Sequence, residues 1–417
     1  MAREMKYSGV PWLGNVPSAW KIVRTKNLYK NHKDIAGDSA EDYERLALTL
    51  NGVIKRPKDD STGLQPEAFN SYQILRENEL VFKLIDLENV STSRVGYSPY
   101  LGIVSPAYIV LTPRTINESK YGVYYFLSMW QREVFNHMGD DGVRSSLNAN
   151  DLLNIPYLSI PNDEQQRIVS FLDAECARID SLVEQTRASI EEYKKLKQAI
   201  ITEAVTKGIR PGRKMKDSGI EWIGEIPAEW EVNRIGLLYV ERKEKVSDYD
   251  FPPLSVTKLG ILPQLSTAAK TDAHDDRKLV RKGDFAINSR SDRRGSCGIS
   301  SYDGSVSLIN TILTPRLEMH PVYYEWLFHS TLFSDEFYKW GHGIVDDLWT
   351  TNWQDMKRIY VPIPPYPEQA DIAEYLNFKC SEIADLISTK DNVISELETY
   401  KKSLIYEYVT GKKEVPA

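Results

Sequence analysis

The chain says nearly the same thing twice, which constrains its fold more than any other feature. Residues 6–24, KYSGVPWLGNVPSAWKIVR, return 210 positions later as KDSGIEWIGEIPAEWEVNR, with Ser8/Ser218, Gly9/Gly219, Trp12/Trp222, Gly14/Gly224, Pro17/Pro227, Trp20/Trp230 and Arg24/Arg234 in register. A second pair follows at an offset of 204, where PNDEQQRIVSFLDAECARIDSLVE from Pro161 matches PYPEQADIAEYLNFKCSEIADLIS ending at Ser388. The order is box, variable globule, long helix, then the same again. Two like frames around two different inserts describe a device that engages two different things at a fixed separation.

The helical stretches carry a periodic apolar seam. In the first, Ile168, Leu172, Glu175, Ile179, Leu182, Thr186, Ser189, Tyr193, Leu196 and Ile200 step by alternating intervals of four and three. The matching positions of the second are Ile372, Leu376, Lys379, Ile383, Leu386, Lys390, Val393, Leu397, Tyr400 and Leu404. This spacing predicts a coiled-coil seam that is polar at the same points in both copies. Prolines and acidic residues open each helix, and Gly208 and Gly411 stand near their ends.

Chain lengths argue for direction. A 45-residue helix extends about 67 Å, whereas a globule of this insert size is roughly 36 Å across. The second insert therefore does not carry the chain back to the start of the first helix, and the second helix returns antiparallel to it. The expected fold class is α+β: two mixed α/β domains with twisted sheets, joined by two long helices in an antiparallel coiled coil, with an internal pseudo-twofold repeat. The boundaries are 1–160, 161–208, 209–363 and 364–417.

A net charge of −7 over 417 residues looks unsuited to a polyanionic partner until it is located. The segments 163–207 and 368–412 carry −2 and −4, which leaves −1 for everything else. The acidity belongs to the helices, so local basic loops on the inserts decide nucleic-acid binding. No apolar run approaches a membrane span and the polar start lacks a signal-peptide core, so a cytoplasmic location is expected. Cys176, Cys297 and Cys380 form no CxxC, which points to neither a disulfide framework nor a metal site. Cys176 and Cys380 occupy equivalent helix positions and read as small packing residues.

The paired SGxxWxGxxPxxW boxes, the two helix starts ending in Glu-Gln, and the helix ends YKKLKQAIITEAVTKG and YKKSLIYEYVTGK resemble the specificity (HsdS) subunits of type I restriction-modification systems, along nearly the whole chain. That resemblance implies a non-catalytic DNA-recognition subunit. Each insert would be a target recognition domain reading one half of a bipartite, asymmetric site on double-stranded DNA. The helices would set the gap and dock two modification (methyltransferase) subunits, with two restriction subunits in the full complex. S-adenosylmethionine, ATP and magnesium would be used by those partners and not by this chain. Ile168, Leu172, Ile179, Leu182, Tyr193, Leu196, Ile372, Leu376, Ile383, Leu386, Leu397 and Tyr400 would be the spacer and partner-binding positions.

The inserts, about 21–155 and 231–358, share a fainter pattern. Glu79 to Lys83 aligns with Gly283 to Ile287 at offset 204, and LTPR from Leu111 with LTPR from Leu313 at offset 202, each followed by a YY-containing helical segment. After the strand at Phe285 comes NSRSDRRGSCG, which puts Asn288, Ser289, Arg290, Arg293 and Arg294 on one Gly-flanked turn. Arginine forks suit guanine edges and phosphates, and asparagine suits adenine. The matching first-copy loop, STSRVGYSPYLG, offers Arg94 and Tyr97, supported by Lys83 and Arg144. A second strip lies before each helix: Arg144, Ser145, Ser146 and Asn148 in one copy, His342, Thr350, Thr351 and Asn352 in the other, where Asp346 and Asp347 oppose simple phosphate binding. The Trp boxes read as apolar hooks that dock an insert against a helix end.

Two other readings compete with this one. One is a duplicated scaffold that holds proteins apart without DNA preference; flat salt dependence of duplex binding would mark it. The other is an enzyme. Ile363-Pro364-Pro365-Tyr366 resembles the Asn/Asp-Pro-Pro-Tyr motif of amino-methyltransferases, but isoleucine offers no acceptor to a target amine. The chain also lacks a GxxxxGK nucleotide loop and an HExxH metal motif.

Overall fold

The computed structural model describes residues 3–60, 68–87, 92–138, 146–264, 274–290, 293–343 and 349–416. It divides into two compact units, Met1–Thr186 with Asn392–Ala417, and Arg187–Asp391. The cut falls inside both long helices, Asn162–Lys207 and Tyr366–Val409. Each unit thus holds one globule and one end of each helix.

The globule of the first unit is built on a four-stranded antiparallel sheet in the order Tyr29–Asn31, Ile109–Pro113, Leu80–Phe82, Val95–Tyr97. Of its two inner strands, the middle strand Leu80–Phe82 is apolar at every position because both faces are covered. Phe82 meets Phe126 of the helix Ile116–Gln131, ring centroids 5.1 Å apart. Val81 points the other way, into a cluster with Leu46, Leu48 and Val53 of the hairpin Leu46–Thr49/Gly52–Lys55. A pleated strand sends alternate side chains to opposite faces, so one short run serves two layers.

The second unit repeats this construction internally, with the order Tyr239–Glu241, Asn310–Pro315, Phe285–Asn288, Cys297–Ile299. Phe285 packs on Phe328 at 4.6 Å, and Ala286 faces Leu254 and Ile261 of a matching hairpin. Mixed helix and sheet content is therefore present in both units, as the sequence led us to expect. Leu80 pairs with Leu111 and Phe285 with Leu313, so these strands correspond at offset 205, not 204. Glu79 is matched by Asp284: Thr112 donates to Glu79 Oε1 at 2.7 Å and Thr314 to Asp284 Oδ1 at 2.8 Å. A one-residue length difference in a loop is invisible to a single-offset comparison, but a hydrogen-bonded ladder locates it.

In each unit the helix ends run in opposite directions. Phe171 stacks near Tyr408 at 4.5 Å and Asp180 accepts from Lys401 at 2.6 Å in the first unit. Tyr193 lies under the Lys390 ammonium at 5.5 Å and Asp371 accepts from Arg210 at 2.9 Å in the second. As one partner advances the other recedes.

The buried stripe departs from the strict seven-residue seam. Ile168, Ile179, Ile190 and Ile201 are all buried and stand eleven apart, and so do Ile372, Ile383, Ile394 and Ile405. Leu172 and Leu376 also lie inside, Tyr193 and Leu397 are half-buried, but Leu182, Leu196, Leu386 and Tyr400 are 38–48% exposed. Eleven residues in three turns give 3.67 per turn, close to the natural 3.6, whereas a 3.5 repeat drifts about 20° per heptad off an unstrained helix. The heptad reading therefore holds for the first turns and slips by one residue beyond Ile179 and Ile383.

Candidate nucleic-acid interface

The repeated box and the helix start prove to be one device. The Trp20 indole N–H donates to Glu164 at 2.9 Å, and the Trp230 indole N–H donates to Glu368 at 2.9 Å. An arginine completes each: Arg3 reaches Glu164 at 2.6 Å and Arg213 is bonded to Glu368. The carboxylate partners hold the Arg213 guanidinium well above its ordinary range. The neighbouring glutamine folds back on the chain before the helix, Gln165 Nε2 to Ile160 O at 3.3 Å and Gln369 Nε2 to Pro364 O at 2.8 Å. That last bond makes Pro364 part of the helix entry, with Ile363 paired to Glu231 in a strand. The Ile-Pro-Pro-Tyr segment is thus spent on structure.

The end of the other helix is gripped beside each box, by a tyrosine of the helix that covers the sheet and, in the first unit, by the box itself. Tyr121 donates to Val409 O at 2.8 Å and Lys412 to Leu13 O at 2.8 Å in the first unit, and Tyr323 donates to Val205 O at 2.9 Å in the second. Gly208 and Gly411 adopt left-handed φ of +74° and +67° against Trp230 and Trp20. Arg3 and Arg213 repeat at the box's own offset of 210, the sequence signal that could have revealed them.

The candidate contact residues are brought together only in part. Arg293 and Arg294 are exposed, with Arg294 in an open ion pair to Asp335 at 3.2 Å and over the Tyr338 ring at 5.0 Å. Such a pair contributes little and is readily exchanged for a phosphate. Arg290 is half-buried at the strand end, its carbonyl held by Tyr338 Oη at 3.0 Å. Asn288 and Ser289 are interior. Asn288 Oδ1 accepts the Arg290 N–H at 3.1 Å, and Ser289 Oγ lies 3.1 Å from Thr311 Oγ1, so both shape the turn, and Ser289 also lines a cleft beside it. Ser291 and Asp292 lie outside the described residues.

In the first unit the expectation for Arg94 is overturned. It is fully buried and donates to the Asp86 carbonyl and, at 3.4 Å, to Thr92 Oγ1. Burial lowers its pKa, with Asp86 opposing. It clamps the loop from inside, just before the strand Val95–Tyr97, and its neighbours Ser93 and Val95 are buried with it. Lys83 is half-buried toward Thr92 at 3.4 Å and is also depressed, first by burial and then by Arg94. Tyr97 donates to Asn78 at 2.6 Å. Arg144 and Ser145 lie outside the described residues.

Asn148 and Asn352 are helix caps. Asn148 Oδ1 accepts from the N–H groups of Asn150 and Asp151 at 2.8 and 3.0 Å, and Asn352 Oδ1 from those of Gln354 and Asp355 at 2.7 and 3.3 Å. Ser146 and His342 are exposed and Thr350 half-exposed, whereas Thr351 is buried and donates to Phe337 O at 2.8 Å. Asp346 and Asp347 lie outside the described residues. All three cysteines are buried thiols, with Cys176 pushed up to about 11 chiefly by burial. No helix among the described residues is long and apolar enough to cross a membrane.

Comparison with known proteins places this fold. A chain from a structure described as the basis of complex assembly and conformational transition of the type I R-M system superposes with a TM-score of 0.69, covering 95% of this chain and 99% of that one at 15% identity. The HsdS subunit from Thermoanaerobacter tengcongensis superposes with a TM-score of 0.51 over 95% and 98% of the two chains, also at 15% identity. In sequence, a putative type I restriction enzyme MjaX specificity subunit from Methanocaldococcus jannaschii is 22% identical over 239 residues. That match spans about half of each chain, 54% of this one and 53% of the relative. No family model matches. Sequence motifs, relative and fold thus agree on a single resemblance: the chain is similar to the specificity subunits of type I restriction-modification systems and has an HsdS-like α+β fold.

Proposed function

We propose that this chain is the non-catalytic DNA-recognition subunit of a type I restriction-modification complex. Each globule reads one half of a bipartite, asymmetric target on double-stranded DNA. The two long helices form an antiparallel coiled coil, related by a pseudo-twofold axis, that sets the gap and docks two modification subunits. Methyl transfer with S-adenosylmethionine, and cleavage with ATP and magnesium where restriction subunits are present, belong to those partners. The observation that carries this reading is that one globular frame, with the same strand order and the same Trp–Glu–Arg anchor, occurs twice with different exposed side chains. Two different surfaces on one repeated frame are what two different half-sites call for.

The test is the methylated motif on DNA from cells that express this chain with its modification subunit, against cells that lack the chain. A new bipartite motif with a fixed gap is the expected result. An unchanged methylation pattern despite a stable complex rejects the recognition role, as does duplex binding that is insensitive to salt, since each neutralised phosphate releases counterions.

A further inference from the structure

Each globule carries a cleft beside the end of its middle strand, in the same place and on the same supports. The first is lined by Asn31, Gln73, Ile85, Ile109, Ser146 and Asn148, the second by Glu241, Lys278, Arg290, Thr311, Thr350 and Asn352. Three anchors show that the positions correspond. Ile85 bridges to Ser146 as Arg290 bridges to Thr350. Gln73 Nε2 donates to Tyr108 O at 2.6 Å as Lys278 Nζ donates to Asn310 O at 2.7 Å. Asn148 and Asn352 each cap the short helix at the rim.

At Gln73/Lys278 the bond is kept although the residue changes; at Asn31/Glu241 it is not, the Asn31 amide donating to Val110 O at 2.9 Å while the Glu241 carboxylate lies 3.4 Å from Lys243. The chemistry of the lining changes between the copies: a neutral amide against a carboxylate at Asn31/Glu241, an alkyl group against a guanidinium at Ile85/Arg290, and an alkyl group against a hydroxyl, the latter turned to Ser289, at Ile109/Thr311. The backbone frame of the cleft is thus the same in both globules, while the side chains it presents differ in charge and polarity.

We propose that these two clefts are where the half-sites are read, and that the strand-end position held by Ile85 in one and Arg290 in the other sets a base preference in each. The inference rests on the recognition role proposed above and assigns it to residues. A guanidinium at a fixed strand end suits the O6 and N7 acceptors of guanine, and an alkyl side chain there suits the thymine methyl group. The base-edge role passes from the interior Asn288 and the enclosed Arg94 to this pair. Arg293 and Arg294, exposed beyond the cleft, are left for the phosphate backbone.

The experiment is the methylome of cells expressing the full complex with wild-type chain, Arg290→Ile or Ile85→Arg. Arg290→Ile relaxes one base position in one half-site, with a loss of discrimination of order 10- to 100-fold, and Ile85→Arg alters only the opposite half. If the wild-type complex yields a bipartite motif and the assembled variants leave both halves unchanged, or lower methylation uniformly without changing any base preference, this assignment is wrong while the recognition role stands. If the wild-type complex yields no motif, the recognition role itself fails. Should Arg290→Ile not assemble, Arg290→Lys keeps the charge and removes the bidentate fork, and the same outcomes decide.

Discussion

Trp230 donates its indole N–H to Glu368 at 2.9 Å, joining the end of the repeated box to the first turn of a 44-residue helix that begins 136 positions later. Trp230 is fully buried and the Glu368 side chain is 5% exposed, so the bond satisfies two groups that water does not reach. Negative charge at a helix start is favourable in itself. The indole, the guanidinium of Arg213 and the helix N-terminus converge on that one carboxylate, and the same constellation recurs at Trp20, Arg3 and Glu164.

Replacing Trp230 by Phe keeps most of the ring packing and removes the N–H. It is expected to cost about 1–3 kcal/mol, the penalty for leaving a buried acceptor short of a donor. Trp20→Phe costs less, because the Glu164 side chain is 18% exposed and water can replace the indole. Thermal denaturation of the two variants side by side checks the order.

Gly411→Ala is expected to destabilise by more than the roughly 1 kcal/mol that a left-handed φ alone imposes on an L-residue, since the added methyl group falls on Pro17 and on the Trp20 ring. Gly224→Ala, at φ +68° with open space around it, measures the conformational cost by itself. Equal losses in chemical denaturation would contradict the packing part of the claim.

The eleven-residue stripe makes opposite predictions for two neighbours that a seven-residue seam treats differently. Ile190→Ala removes a buried side chain and is expected to cost about 2–5 kcal/mol. Leu196→Ala touches a residue 48% exposed and is expected to stay within about 0.5 kcal/mol in the isolated chain. Urea melts that showed the larger loss at Leu196 would restore the heptad.

Inserting four residues within Thr202–Thr206 lengthens that helix by about 6 Å, or roughly two base-pair steps at 3.4 Å each. The expected target keeps both half-sites and gains a wider gap. Methylome sequencing reads this directly, and an unchanged gap would count against a helical spacer.

Much of this architecture is legible in one dimension because it is repeated there. The boxes, the acidic helix starts and the terminal glycines are local signals, and two copies at constant offsets separate them from chance. The eleven-residue spacing of isoleucines was also present in the sequence, but the short steps of four and three fit a heptad equally well over the first turns. The length difference that pairs Glu79 with Asp284 was not legible, since a loop insertion leaves no trace until strands pair. Nor was the fate of the loop residues. Arg94 and Arg290 both lie in polar, Gly-flanked stretches and look alike on paper, yet one is enclosed and the other lines a cleft.

The sequence by itself determined the duplication, the long helices and the family resemblance, because these depend on periodicity and on residues close together in the chain. Which polar side chains serve the interior and which remain for a partner was decided only by the tertiary structure. Burial depends on what folds over a residue from more than a hundred positions away, as Trp230 shows at Glu368.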